Sequence, residues 1–289
     1  MKLLTRELLA QIEQLHIPSR RRLRYQHRGE RPGLKKGSSL EFSDYREYLP
    51  GDDIRSIDWN VYARTERLFL KLFLEDESKP VYFIVDASDS MNFGEPTKYE
   101  YSRAFALALS YVSLLNYDRP RILVVQNDSH RALLLTSIRQ FFPALGQIEK
   151  LEPAGQTQWS SALKRIALSG FPKGIYFLLS DFYSLDGWDG MKLLAAAGNE
   201  LHCVQTLTPD ELQPSMRGDL RLIDSETNAD SEVSINPSVL KRYQSRLRQM
   251  QESLKQTAFH SFASFSVIDT SVPLQKLLLH DFRKSGVLA

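Results

Sequence analysis

The feature of this sequence that most limits its possible folds is the alternation of short apolar runs with amphipathic helical patterns. The runs VYFIV at 81–85 and IYFLL at 175–179 have the length of buried strands, and neither approaches the roughly 18 apolar residues of a membrane-spanning helix. Strands that alternate with helices of about 10–15 residues form parallel sheets with right-handed crossovers and helices on both faces. The sequence therefore predicts a doubly wound, mostly parallel α/β sheet.

The predicted elements follow one another regularly along the chain. Strands are expected at 67–77, 78–86, 121–126, 174–181, 200–207 and 264–270. Helices are expected at 5–16, 98–116, 138–150, 158–169, 187–197, 237–256 and 272–283. The helix at 98–116 begins at a capping box, Thr97-Lys98-Tyr99-Glu100, and its apolar face carries Tyr101, Phe105, Leu109 and Val112.

Three segments of the chain differ in character. Residues 1–36 combine the first helix with a basic arm at 20–36, in which eight Lys and Arg residues face a single acidic residue. Residues 37–77 form a predicted amino-terminal subdomain that contains a half-buried strand. Residues 78–289 form the α/β domain, into which a polar-tipped hairpin is inserted near 209–235.

The ends of the chain and its composition indicate a cellular setting. A secretory leader requires an uninterrupted apolar core, whereas the amino terminus is broken by Arg6, Glu7, Gln11 and Glu13. The single cysteine, Cys203, can form no internal disulfide. We therefore expect a cytoplasmic protein without a transmembrane segment. The net charge of +2 indicates no class of partner by itself.

Oxygen-bearing side chains follow two of the predicted buried strands and occupy one loop before a helix. They are Asp86, Ser88, Ser90, Thr157 and Asp181. Ligands of open α/β sheets bind outside the carboxyl ends of the strands, where these residues are expected to meet. Hard divalent cations prefer oxygen ligands and keep several waters, which suits two carboxylates and three hydroxyls. We predict a site for Mg²⁺, or for another divalent cation such as Mn²⁺ or Ca²⁺.

These residues resemble the metal-ion-dependent adhesion site of the von Willebrand factor A family, which reads Asp-x-Ser-x-Ser, then Thr, then Asp. The resemblance implies a von Willebrand factor A-like fold and a metal that binds an acidic residue of a partner protein. One departure is the loop Gly155-Gln156-Thr157, where two glycines commonly precede the threonine. The alternative is that Ser88 and Ser90 cap the following segment and that Asp181 is a loop carboxylate.

A more distinctive resemblance lies upstream of this site. The stretch from Pro50-Gly51-Asp52-Asp53-Ile54-Arg55-Ser56-Ile57-Asp58-Trp59 to Ala63-Arg64 is similar to the signature of a bacterial family, domain of unknown function 58. The resemblance covers roughly residues 35–275. It implies a factor that acts beside a MoxR-type AAA+ ATPase, with the adhesion site as the contact. Some relatives carry amino-terminal transmembrane helices. This sequence shows no such helix, so a soluble form is expected here.

The charged residues of this upstream stretch have two interpretations. Together with Asp52 and Asp53, they can form an ion-pair network around Trp59 that holds the amino-terminal subdomain in place. Alternatively, they bind a partner, because Arg and Trp dominate interface hot spots. The residues concerned are Arg55, Asp58, Trp59 and Arg64.

Three functions compete at this point. The leading hypothesis is a non-enzymatic factor that binds an acidic residue of its partner through the metal. The second is a Mg²⁺-dependent phosphohydrolase, but Ser88 stands where an aspartyl-phosphate enzyme needs a second carboxylate, and no lysine is evident at a matching strand end. The third is a nucleic-acid-binding factor that uses the basic arm, where Tyr25 alone supplies an aromatic ring for stacking. Nucleic acid is therefore not the expected partner.

Overall fold

The computed structural model describes residues 3–19, 41–74, 78–127, 129–183, 188–215, 218–223 and 230–289. The described residues form two compact units, one made of the amino-terminal segment and Lys79–Ala289, the other within Tyr25–Ser78. The basic arm and residues 224–229 at the tip of the hairpin lie outside the described residues. In the described part of the chain, no helix combines the length and the apolar character needed to cross a membrane.

The elements are numbered along the chain. The described strands are β1 (Glu41–Glu47), β2 (Phe69–Leu74), β3 (Pro80–Asp86), β4 (Arg119–Gln126), β5 (Ser129–Leu134), β6 (Ile175–Ser180), β7 (Glu200–Leu207), β8 (Gly218–Ile223), β9 (Asp230–Ile235) and β10 (Ser264–Asp269). The described helices are α1 (Arg6–Ile12), α2 (Trp59–Thr65), α3 (Lys98–Leu115), α4 (Ile138–Ile148), α5 (Trp159–Leu168), α6 (Trp188–Ala196), α7 (Pro209–Leu212), α8 (Pro237–His260), α9 (Leu274–Lys276) and α10 (Phe282–Lys284). A π-helical turn, Leu277–Asp281, joins α9 to α10.

Six described strands of the larger unit form one sheet in the order β10-β7-β6-β3-β4-β5. Every neighbouring pair is parallel except β4 and β5, which are antiparallel. The predicted doubly wound, mostly parallel α/β sheet is therefore confirmed. The strands β8 and β9 pair separately as the predicted antiparallel hairpin.

Strand β3 lies between β6 and β4 in the middle of this sheet, and all seven of its residues are buried. Val81, Phe83 and Val85 pack into the core cluster on one face, which α3 covers, and Tyr82 and Ile84 pack into the cluster on the other face. The chain leaves β3 toward β4 on one side and returns to β6 on the other. Strand order thus reverses at β3, and the carboxyl end of β3 is where a ligand site is expected.

The edge strand β5 is absent from the predicted elements. Its sequence, SHRALL, has only three apolar residues at its end, and its residues are exposed or half-buried. The residues of β5 become a strand through backbone pairing with β4, from Arg121 opposite Leu134 to Gln126 opposite Ser129. Such pairing depends on a neighbour and leaves a weak trace in local periodicity.

Helix α1 belongs to the core of the larger unit. Its Leu8, Leu9 and Ile12 are buried in the same cluster as the face of α3 that covers the sheet. Backbone hydrogen bonds between His16 and Ala289 then tie the amino-terminal segment to the end of the chain. The sequence pattern grouped this helix with the basic arm, whereas its apolar face joins it to the α/β unit.

The smaller unit consists of an antiparallel pair, β1 and β2, together with α2. A short 3₁₀ turn, Ile54–Ser56, precedes α2. Asp58 caps α2, because its carboxylate accepts hydrogen bonds from the backbone N–H groups of Asn60 and Val61.

Candidate metal centre at the carboxyl edge of the sheet

Asp86 is the hub of the predicted site. The last residue of β3, it is only 2% exposed. Its Oδ1 accepts hydrogen bonds from the hydroxyl of Thr157 at 2.8 Å and from the backbone N–H of Ser88 at 3.0 Å. Its Oδ2 accepts from the hydroxyl of Ser180 at 2.6 Å and from the indole N–H of Trp159 at 3.2 Å. Both carboxylate oxygens are thus held by the chain itself.

The environment of Asp86 disfavours its negative charge. Burial raises the pKa of Asp86, and the nearby charge of Asp181 raises it further. Hydrogen bonds from Ser180, Thr157 and Ser88 oppose this rise without cancelling it. A positive charge at this point of the sheet would relieve the repulsion between the two carboxylates.

The hydroxyls of Ser88 and Ser90 share a hydrogen bond whose length is also compatible with two adjacent ligands of an octahedral ion. The Oγ atoms of Ser88 and Ser90 are 3.1 Å apart. Two oxygens about 2.1 Å from Mg²⁺ and at right angles around it lie about 3.0 Å from one another. The Thr157 hydroxyl donates its hydrogen to Asp86, which leaves its lone pairs for a cation. These residues therefore fit a hard divalent ion.

The loop that carries Thr157 is pinned to the loop that carries the serines. Asp89 accepts a hydrogen bond from the backbone N–H of Gly155 at 2.8 Å, and its own N–H donates to the Gly155 carbonyl at 2.9 Å. Gly155 has a positive φ of 70°, and a Cβ there would lie 2.1 Å from the side-chain oxygen of Asn127. The loop therefore requires glycine at position 155, and Gln156 stands where the family pattern commonly has a second glycine.

Asp181 is the member of the predicted set that is linked differently. Its Oδ2 contacts Nζ of Lys98 at 2.7 Å, and its Oδ1 accepts from the backbone N–H of Tyr183 at 3.2 Å. After burial, the negative charge of Asp181 is the second cause that raises the pKa of Asp86. Direct hydrogen bonds connect the other four predicted residues, which are Asp86, Ser88, Ser90 and Thr157.

Sequence reasoning missed Lys98, as it missed Ser180, Trp159 and Glu211. Lys98 is 1% exposed, and its ammonium lies between Asp181 and Glu211 of α7, at 2.7 Å and 2.6 Å. A signal was present, because Lys98 precedes Tyr101 by three residues and Phe105 by seven, which places it on the apolar face of the helix. A lysine that continues an apolar stripe indicates a buried partner of opposite charge.

The carboxylates of this region are linked in pairs. Asp86 and Asp181 interact through their charges, and the ammonium of Lys98 joins Asp181 to Glu211. Among the described residues no group of three or more His, Cys, Asp or Glu side chains comes together as a metal site. The donor set is hydroxyls with carboxylates behind them, which suits Mg²⁺ better than zinc.

Among the described residues, the predicted partner-binding residues of the smaller unit make local contacts. Arg55 pairs with Asp53 at 2.8 Å, and the Nε of Arg64 donates to a backbone carbonyl of α2. Asp58 accepts a hydrogen bond from the Tyr45 hydroxyl at 3.0 Å in addition to capping α2. Trp59 is 61% exposed. Its exposure leaves the interface interpretation of this stretch open.

Comparison with known proteins places the chain among relatives. The family model described as protein of unknown function DUF58 matches residues 44–253. Uncharacterized protein Rv1480 of Mycobacterium tuberculosis (strain ATCC 25618 / H37Rv) is 26% identical over 239 residues, which cover 81% of this chain and 75% of the relative.

Two solved structures also align with the chain. Conserved hypothetical protein BatB from Bacteroides thetaiotaomicron aligns at 16% identity and a TM-score of 0.42, over 72% of this chain and 98% of its own. The SpRpn10 VWA domain aligns at 10% identity and a TM-score of 0.39, over 69% of this chain and 93% of its own.

The match to the family model settles the family that the sequence pointed to. It spans the stretch around Trp59 and all the predicted site residues from Asp86 to Asp181. The chain therefore belongs to the DUF58 family.

Proposed function

We propose that this protein is a non-enzymatic interaction factor that binds an acidic residue of a partner protein through a divalent cation. Ser88, Ser90 and Thr157 would hold the ion, with Asp86 and Asp181 behind them. The observation that carries the proposal is the contact of 2.8 Å between Thr157 and Asp86, beside two serine hydroxyls 3.1 Å apart. A cation bound there supplies an open coordination position for a partner's carboxylate.

The protein's own residues prepare this site in two ways. Asp86 fixes the Thr157 hydroxyl and the backbone of Ser88, so the oxygens are ordered before any ligand arrives. Asp86, Ser88 and Thr157 are buried, whereas Ser90 is half-buried. A partner therefore approaches the site from the side of Ser90.

The geometry argues against the phosphohydrolase alternative. An aspartate nucleophile needs a free oxygen, and both oxygens of Asp86 already accept two hydrogen bonds each. The lysine of the site is engaged by Asp181 and Glu211 and is not free to bind a phosphate. The described residues thus support binding without covalent chemistry.

The partner that we propose is a MoxR-type AAA+ ATPase, or a protein presented by one, with which this factor would assemble or activate other proteins. The chemical requirement on the partner is an exposed Asp or Glu that can enter the coordination shell of the ion. This requirement makes capture sensitive to chelation, whereas a purely apolar or ionic interface is not.

Calorimetric titration with Mg²⁺ and capture of a purified MoxR-type ATPase test the proposal together. Ser90→Ala removes one hydroxyl at the accessible side of the site and is expected to weaken Mg²⁺ binding by about tenfold or more. Capture should fall in parallel and should be abolished by chelator. Ser169→Ala is the matched control, because Ser169 follows α5, before the opposite end of β6, and bonds only the local carbonyl of Ile166.

Mg²⁺ binding by Ser90→Ala at the affinity of the wild type would remove Ser90 from the ligand set. Partner capture that survives chelation would remove the ion from the interaction.

A further inference from the structure

Lys98 is a buried cation within the metal site. Its ammonium contacts Asp181 at 2.7 Å and Glu211 at 2.6 Å, and it lies 5.1 Å from the centre of the Tyr183 ring. The ammonium of Lys98 therefore forms ion pairs with two carboxylates, Asp181 of the site and Glu211 of α7. Neither Lys98 nor Glu211 belongs to the proposed ligands of the ion, so the proposed function does not explain their contact.

Glu211 is held in position by α7 and α8. Its Oε2 accepts hydrogen bonds from the backbone N–H and the hydroxyl of Thr208, at 2.8 Å and 3.1 Å, as the capping box of α7. Its backbone carbonyl accepts from the hydroxyl of Tyr243 on α8 at 2.8 Å. The distance between Glu211 and Lys98 thus depends on where α7 and α8 lie.

The two charges act on a cation in opposite directions. Lys98 neutralises Asp181 and repels a cation nearby, so it lowers the affinity of the site for a divalent ion. Glu211 partly neutralises Lys98 and adds a negative charge of its own, so it raises the affinity of the site for a divalent ion. Because the groups are buried, solvent screens these effects little.

We propose that the Lys98–Glu211 pair regulates by its charge how tightly the site holds its ion, with Lys98 as the restraining charge and Glu211 as the charge that offsets it. The inference rests on the proposed function and deepens it. Without the carboxylate of Glu211, the full ammonium charge acts on Asp181 and weakens ion binding.

Opposite substitutions in the pair separate this role from simple structural support. Lys98→Met is expected to bind Mg²⁺ about tenfold more tightly than the wild type, and Glu211→Gln about tenfold more weakly. Glutamine at 211 can still accept the hydrogen bonds of Thr208, so the capping box of α7 is kept. Structural damage alone would weaken Mg²⁺ binding in both variants. Regulation by charge would strengthen it in Lys98→Met and weaken it in Glu211→Gln.

The measurement is Mg²⁺ affinity of the full chain by calorimetric titration. Lys79→Met is the matched control, because Lys79 precedes β3 and loses the same charge roughly 20 Å from Asp86 along that strand. Its affinity should stay within about twofold of the wild type. If Lys98→Met does not fold, wild-type affinity in Glu211→Gln still overturns the inference.

The outcome also separates this inference from the proposed function. Loss of Mg²⁺ binding in Ser90→Ala, together with unchanged or weaker binding in Lys98→Met, overturns the regulation and keeps the ion site. Absence of Mg²⁺ binding in both the wild type and Lys98→Met overturns both.

Discussion

Replacing Lys98 by methionine removes the buried ammonium between Asp181 and Glu211 and keeps a side chain of similar length. The side chains of the three residues are 1%, 3% and 13% exposed, so water cannot replace the lost partner. Removal of one partner from a buried ion pair leaves uncompensated charge and costs about 3–5 kcal/mol. We expect the metal-free Lys98→Met variant to lose that much of its free energy of unfolding.

Thermal unfolding followed by circular dichroism measures this loss. For domains of 150–250 residues, 1 kcal/mol shifts the Tm by about 2–4 °C, so Lys98→Met should unfold about 6–20 °C below the wild type. The control is Lys192→Met, which breaks a pair with Asp189 at 3.7 Å in which the lysine is 60% exposed. Such exposed pairs contribute about 0–1 kcal/mol, so the control should shift by no more than about 4 °C.

The pH dependence gives a second test of the same contact. Burial lowers the pKa of Lys98, but the charges of Asp181 and Glu211 outweigh burial, and the pKa lies above its ordinary value of 10.5. A raised lysine pKa stabilises the fold fully below the unfolded-state pKa, and the contribution is lost as the pH rises through the folded-state pKa. The difference in Tm between the wild type and Lys98→Met should therefore persist to about pH 10 and narrow above it.

Equal Tm values for the wild type and Lys98→Met at neutral pH would refute the reasoning. Such a result would mean that the ion pairs of Lys98 with Asp181 and Glu211 do not stabilise the folded protein. A difference that disappears already near about pH 8 would show that Lys98 is not a stabilised cation.

Three further predictions concern single positions. Asp86→Ala leaves four buried donors without their acceptor and should lower the Tm more than Ser90→Ala, which loses one hydroxyl contact of about 0.5–1.5 kcal/mol; equal shifts would contradict the hub role of Asp86. Gly155→Ala places a Cβ at a positive φ and against a neighbouring side chain, so it should lower the free energy of unfolding by more than about 1 kcal/mol. Gly146→Ala, in open space within α4, should raise it by about 0.5–1 kcal/mol, and chemical denaturation measures both changes. Burial raises the pKa of Cys203 to about 12, so its thiol should resist a disulfide reagent in the native protein and react on unfolding, and rapid native labelling would show that β7 is not buried.

The sequence by itself determined most of the helices and strands of the α/β unit. The apolar runs of β3 and β6 and the helical stripe of α3 are periodic signals, and the capping box at Thr97 and Glu100 is present as predicted. Local signals of this kind depend on neighbours in the chain, and a single sequence contains them. The alternate spacing of Asp86, Ser88 and Ser90 predicted an extended loop, whereas Ser88 lies at the start of a 3₁₀ turn, Asp89–Asn92, that contains Ser90.

The tertiary structure decided which distant side chains meet. Ser180 reaches Asp86 across 94 positions and Lys98 reaches Glu211 across 113, and both contacts follow from the order of strands and the packing of α3 and α7. Local periodicity predicts that a strand or helix exists, but it contains no information on which strand lies beside it. The pairing of β5 with β4 and the charge of Lys98 inside the site depend on that order, so only the folded chain reveals them.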